Sequence, residues 1–183
     1  MQFKWFYQLT KVARLLPVVA EYNGDRRDDD TMETAKLLRA RRAIRTYTGQ
    51  ITPEQLTTLL AAGNAAPVGM GNYGDYRLVA IQDPDLLHQL SGNYDAPTEI
   101  IVAVHQPGRM EVLSAGVIVH NMVLCAEDLG LGANYNMASL PSLPAGVLPP
   151  GFEAVFGLTV GQTTATFTPR EIPADRIPTT TIK

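Results

Sequence analysis

Cysteine is almost absent from this chain. Cys125 is the only one in 183 residues, so no disulfide can form within it and nothing points to an oxidising compartment. A reducing cytoplasm is the expected location. Excess positive charge is lacking too: the formal charge is -3 at pH 7, which argues against a general nucleic-acid binder, so no nucleic-acid partner is expected. Histidine is scarce, and His88, His105 and His120 stand on unrelated segments with no nucleophile elbow nearby, so a Ser-His-Asp hydrolase is not supported. Clustered Cys and His and the His-plus-carboxylate spacings of metalloenzymes are missing, and no metal is expected. The Walker phosphate loop and the GxGxxG fingerprint are missing as well.

What remains is a globular composition, 45% apolar and 18% charged, on a length that suits one domain with a well-formed core. The first residues, "MQFKWFYQLTKVARLLPVVAEY", mix apolar side chains with Lys4, Lys11 and Arg14. They offer neither the apolar length of a transmembrane helix nor a clean cleavable core. An arm packed on its own protein or on a second subunit is preferred to one lying on a membrane surface, because three cations are sparse for an anionic bilayer. Between Asn23 and Asp30, "NGDRRDDD" contains no apolar residue and reads as a solvated hinge. Residues 1–30 are therefore expected to be arm and hinge, and residues 31–183 a single domain.

Within that domain "TMETAKLLRARR" has Glu33 early and cations late, the charge order a helix dipole favours. Thr52-Pro53-Glu54-Gln55 is a capping box with proline at the first helical position, opening a helix stopped by Gly63-Asn64. "APVGMGNYGDY" reads as a glycine-rich loop, "YRLVAIQ" as a strand, and Asp83-Pro84 as the start of a short helix. Glu99 to His105 is a continuous apolar run of strand length, expected to be covered on both faces. Residues 112–130 form a helix apolar on nearly every side, ending at Gly130. A helix of that kind needs burial all round, which a second copy of the chain would supply, so a homodimer is expected. "FEAVFGLTVGQ" is expected to be a last strand, followed by an irregular Pro- and Thr-rich tail.

Against this acidic background "RARRAIR" places four guanidinium groups, Arg39, Arg41, Arg42 and Arg45, within seven residues. Arginine's planar fork suits phosphate and carboxylate, although a helix C-terminus alone would account for one or two of them. Taken with "APVGMGNYGDYRLVAI" at 66–81, "RRAIR" at 41–45 resembles the nitroreductase family, whose flavin site combines Arg-Arg-Ser-x-Arg with a later Ala-Pro-Ser-Gly-x-Asn and a strand. The likeness continues through "NYDAPTEIIVAV", "SAGVIVHNMVLCAEDLGLGANY" and "VFGLTVGQTTATFTPRE", covering residues 35 to about 172.

The resemblance implies an α+β sandwich, a mostly antiparallel central sheet flanked by helices, forming a dimer with FMN at the subunit interface. It implies that Arg41, Arg42 and Arg45, with Ala43 between them, hold FMN, and that Arg170 also reaches its phosphate. Pro67, Val68, Gly69 and Met70 would pack on the ring from the other subunit, and Asn136, Met137 and Ala138 would lie near N5. No side chain need act as acid or base: FMN would carry hydride from NADH or NADPH to a nitroaromatic, quinone or similar small-molecule acceptor. The sequence departs from the family at Ala43 and Val68, where serine is common, and in "GNYGDY", which lacks the family's Gln-Pro-Trp. Two other readings stay open: a non-catalytic flavin-binding or storage protein on the same scaffold, and a membrane-associated dimer without flavin.

Overall fold

The computed structural model describes residues 33–182, so the expectations for the N-terminal arm and hinge fall outside the described residues. The order of elements is α1 (Thr34–Ala40), α2 (Pro53–Asn64), β1 (Tyr76–Ile81), α3 (Pro84–Leu87), β2 (Thr98–His105), α4 (Arg109–Asp128), β3 (Gly132–Tyr135) and β4 (Phe152–Gly161). The strands form one antiparallel sheet in the order β1-β2-β4-β3. This is the α+β arrangement expected from the sequence.

β2 is central and buried at every position but His105. Side chains alternate across a strand, so its residues divide between two faces. Ile100, Val102 and Val104 join the larger cluster with Leu59 of α2 and Val119 and Met122 of α4. Ile101 joins the smaller one, with Leu87 and Leu90, covered by Leu140, Leu143 and Leu148. Glu99 shares Ile101's face, and a carboxylate there is exceptional for a central strand.

α2 begins as expected. Thr52 accepts from the Gln55 N–H at 3.2 Å, and the Gln55 side chain returns an oxygen to the Thr52 N–H at 2.9 Å. Gly63 lets this helix approach α4 closely, since a Cβ there would lie 3.1 Å from the Met122 sulfur. Along the same seam the half-buried Cys125 sulfur sits 3.9 Å from the Thr58 carbonyl oxygen.

α4 ends in a Schellman motif at Gly130, whose φ of +71° suits glycine. The Leu131 N–H bonds the Ala126 carbonyl at 2.7 Å and the Gly130 N–H bonds that of Glu127 at 3.0 Å. Within one chain, burial of α4 is one-sided, unlike the all-round burial its composition calls for. Ala115, Ile118, Val119, Met122, Val123 and Ala126 face the sheet and α2, while Met110, Leu113 and Val117 form an exposed apolar stripe at spacings of three and four. Although α4 is long and apolar enough to cross a membrane, its buried face is part of the protein core.

α1 stops at Ala40, earlier than the run of helix formers suggests, because the next residues turn to run beside the sheet. The Ile44 N–H donates to the Ala133 carbonyl at 2.9 Å, and Gly49 bridges Gln162. Arg39 therefore stays in the last turn of α1, while Arg41, Arg42 and Arg45 lie on an extended segment anchored by buried Ile44.

Candidate flavin site

Arg41 and Arg42 follow α1 directly, and each is steered by a different neighbour. The Arg41 guanidinium lies 5.9 Å from the centre of the Tyr135 ring, and the Arg45 guanidinium 5.5 Å from that of Tyr94. Arg42 donates a side-chain N–H to the Thr166 carbonyl at 2.7 Å. Arg170 donates to the carbonyls of Arg39 at 3.0 Å and Arg41 at 2.7 Å, so it caps the end of α1 and brings the tail against the cluster. Ala43 is exposed beside them. None of Arg41, Arg42, Arg45 and Arg170 forms an ion pair with a carboxylate among the described residues.

Beneath this cluster is Glu127, 2% exposed. Its Oε1 accepts the Arg42 backbone N–H at 2.7 Å, whereas its buried Oε2 has no partner among the described residues. Burial raises the Glu127 carboxyl above its ordinary value, opposed by the Arg42 N–H and by the charges of Arg41, Arg170 and Arg42. Tyr135 bonds His120 Nδ1 at 2.6 Å, and burial pushes that phenol up and the imidazole down.

Tyr47 ties the same segment to the sheet. Its hydroxyl lies 2.9 Å from the Ile44 carbonyl and 2.7 Å from Thr159 Oγ1, and burial pushes its phenol up to about 12.

Asn136, Met137 and Ala138 follow β3. Asn136 is buried, its N–H donates to the Gly157 carbonyl at 2.8 Å, and its side chain accepts the Ala138 N–H at 3.1 Å. Two of the three N–H groups are thus committed within the chain. Met137, half exposed, is the one whose N–H finds no acceptor among the described residues. These residues lie against Gly92, where an added Cβ would sit 2.9 Å from the Ala138 methyl, so they share a neighbourhood with the Tyr94 loop and hence with Arg45.

Pro67, Val68, Gly69 and Met70 lie elsewhere. The Gly69 N–H donates to Ser114 Oγ at 3.0 Å, near the start of α4, and a Cβ on Gly69 would strike the Met110 side chain at 2.3 Å. Met70 has a φ of +58° and is 91% exposed. From Ser114 to Glu127 is roughly 20 Å along the helix axis at about 1.5 Å per residue. Within one chain the Pro67–Met70 loop and Arg42 therefore meet α4 at points roughly 20 Å apart. A cavity of about 350 Å³ next to this loop, lined by Leu60, Val68, Tyr73, Tyr76, Arg77 and Ile118, contains none of the arginines at 39–45.

Glu99, Glu127, Tyr94 and Tyr135 escaped the sequence reading. The two carboxylates left a trace, Glu99 as the lone charge in "PTEIIVAV" and Glu127 as the first charge met at the end of the apolar run in "LCAED".

Three solved structures are similar to this one. A nitroreductase family protein from Clostridium difficile 630 superposes with a TM-score of 0.68 at 24% identity, over 81% of this chain and 98% of its own. A nitroreductase with bound FMN from Bacteroides fragilis NCTC 9343 gives 0.65 at 22%, over 80% and 97%. A protein from Desulfovibrio desulfuricans, provisionally named a nitroreductase and solved in complex with FMN, gives 0.66 at 27%, over 77% and 92%. No protein-family model matches the chain, and no curated protein is similar to it. The fold is that of the nitroreductases, as the sequence resemblance implied.

Proposed function

We propose that the chain acts as a homodimer that binds FMN between its subunits and works as a flavin-dependent oxidoreductase. The observation that carries this is the separation along α4: guanidinium groups without carboxylate partners gather at one end, and the Pro67–Met70 loop is held at the other. An antiparallel pairing of α4 with its copy, about a two-fold axis crossing near exposed Val117 at mid-helix, would bring one end of α4 in each subunit towards the opposite end of its partner and cover the stripe of Met110, Leu113 and Val117. FMN binding in the similar structures from Bacteroides fragilis and Desulfovibrio desulfuricans supports the choice of anion.

The donor set suits this cofactor. Arg41, Arg42 and Arg45 present planar cationic forks to a phosphate and to the electron-rich edge of a flavin, and Arg170 keeps the turn carrying Arg41 in place. A fixed guanidinium near the ring stabilises the negative charge that reduction leaves there, favouring hydride uptake. When bound, FMN would supply the redox chemistry, hydride transfer between NADH or NADPH and a nitroaromatic, quinone or similar acceptor. The chain's own part is binding, orientation and charge; Met137 is placed to offer a backbone N–H. The aromatic faces of Tyr135 and Tyr94 hold Arg41 and Arg45 without neutralising them.

An anaerobic absorbance spectrum with added FMN, before and after NADH and, separately, NADPH, tests the proposal. A bound-flavin spectrum that bleaches and returns on adding a quinone is the expected result. Bound flavin that stays oxidised with either nicotinamide supports the storage reading, which the missing hydroxyls at Ala43 and Val68 favour. Absence of binding overturns the flavin assignment.

A further inference from the structure

Glu99 is fully buried on the central strand, and three side chains converge on it. Asn93 donates to Oε2 at 3.0 Å, Asn136 donates to Oε1 at 3.0 Å, and Ser139 Oγ donates to Oε1 as well. A buried carboxylate is costly unless its oxygens are satisfied, and both of these are. The strand's own ladder needs none of these bonds. Their effect falls on the two loops that supply the donors, the 92–96 turn and the segment after β3.

Those loops are built around the carboxylate. Tyr94 and Asp95 both lie in the left-handed region, at φ of +60° and +53°, an unfavourable pair for two residues with side chains. The Asn93 bond to Glu99 fastens the start of that turn, and the Ala96 N–H to the Asn93 carbonyl at 3.2 Å closes it. The turn presents Tyr94 to Arg45. On the other side, Glu99 holds the Asn136 amide so that its oxygen remains free to accept the Ala138 N–H. Gly157 leaves room for this arrangement: a Cβ there would fall 2.2 Å from the Asn136 carbonyl oxygen and 3.2 Å from Glu99 Oε1.

We infer that Glu99 is a positioning residue: from the core, its carboxylate clamps the Asn93–Asp95 turn and the Asn136–Ala138 segment into one wall of the flavin site. It does not touch the flavin; it sets the placement of Tyr94, and through it Arg45, and of the backbone around Met137. The inference rests on the flavin reading above and adds a residue that the family likeness did not assign.

The test compares wild-type protein with Glu99→Gln, Asn93→Ala and the pair Glu99→Gln/Asn93→Asp. Readouts are FMN affinity by fluorescence quenching, the visible circular dichroism of bound flavin, and thermal melting without flavin. Glu99→Gln removes the charge while keeping the shape, and Asn93→Ala cuts one strut should the first variant fold poorly. The expected result is FMN binding weakened roughly tenfold in each single variant, with an altered dichroism band. The pair recreates a donor and an acceptor across the same gap and is expected to recover most of the affinity. Single variants that melt earlier yet bind FMN with unchanged affinity and an unchanged band would show Glu99 to be a structural residue only, overturning the inference. Wild-type protein that binds no FMN instead defeats the functional reading, and this inference with it, so the two failures are told apart by the wild-type control.

Discussion

At its C-terminal end α4 meets a polar assembly in which Glu127 bonds the Arg42 backbone, Tyr135 lies under Arg41, and Arg170 caps the carbonyls of α1. At its N-terminal end the same helix touches Gly69 through Ser114, then carries Met110, Leu113 and Val117 into solvent. One end is completed by bonds within the chain, and the other offers apolar surface and an exposed Met70. A helix uniform in composition is thus used in two ways. The contrast places the arginine cluster at one end of a rigid element and the exposed apolar stripe at the other, about 20 Å apart.

The sharpest way to break this comparison is to charge the unfinished end. Leu113→Glu with Val117→Glu is expected to give a monomer by sedimentation velocity and, because the flavin site would lose its second half, to weaken FMN by on the order of 100-fold or more. A double variant that stays dimeric would remove the argument for a two-fold axis crossing α4 near Val117. At the finished end the effects divide by wiring. Arg41→Ala and Arg45→Ala are each expected to weaken FMN about tenfold or more in a fluorescence titration without lowering the melting temperature, since neither bonds the backbone. Arg170→Ala, by contrast, removes two bonds to the end of α1 and is expected to cost roughly 1 kcal/mol in denaturant unfolding.

The smallest effect sought is a pH dependence at Glu127. Its carboxyl is raised in the folded protein, so the fold prefers it protonated. Its contribution is fully present below the ordinary carboxylate range, about 4.3, and is lost as pH rises through the raised value. Glu127→Gln keeps an acceptor for the Arg42 N–H and cannot ionise. Its melting temperature should match that of wild type in acid and exceed it at neutral and alkaline pH. A difference that is flat across pH would mean that Arg41, Arg42 and Arg170 already neutralise the burial cost.

What the sequence made legible was local. The Thr52 box could be read because a cap and its helix lie within four residues, and β2 because a continuous apolar run of that length has few other uses. The arginine cluster was legible by density alone. Its wiring was not: Arg42 reaches Thr166, 124 residues on, and Arg170 reaches back 131 residues to Arg39, pairings that no local pattern encodes. Glu99 stood in plain sight within an apolar strand, but its meaning depends on Asn93, Asn136 and Ser139 arriving from two loops. The expectation of all-round burial for α4 treated as uniform what the single chain resolves into a covered face and an open one.

Cys125, wedged beside Thr58 on the seam between α2 and α4, has a consequence for time rather than structure. As the chain's sole thiol, half-buried at that seam, it is a native handle whose alkylation rate follows how exposed the seam leaves it. Burial, with Asp128 nearby, raises the thiol's pKa, so labelling should be slower than for a free thiol and should quicken where α2 and α4 loosen. Labelling rates taken with and without flavin would then compare how open this seam is in the two states without an engineered cysteine.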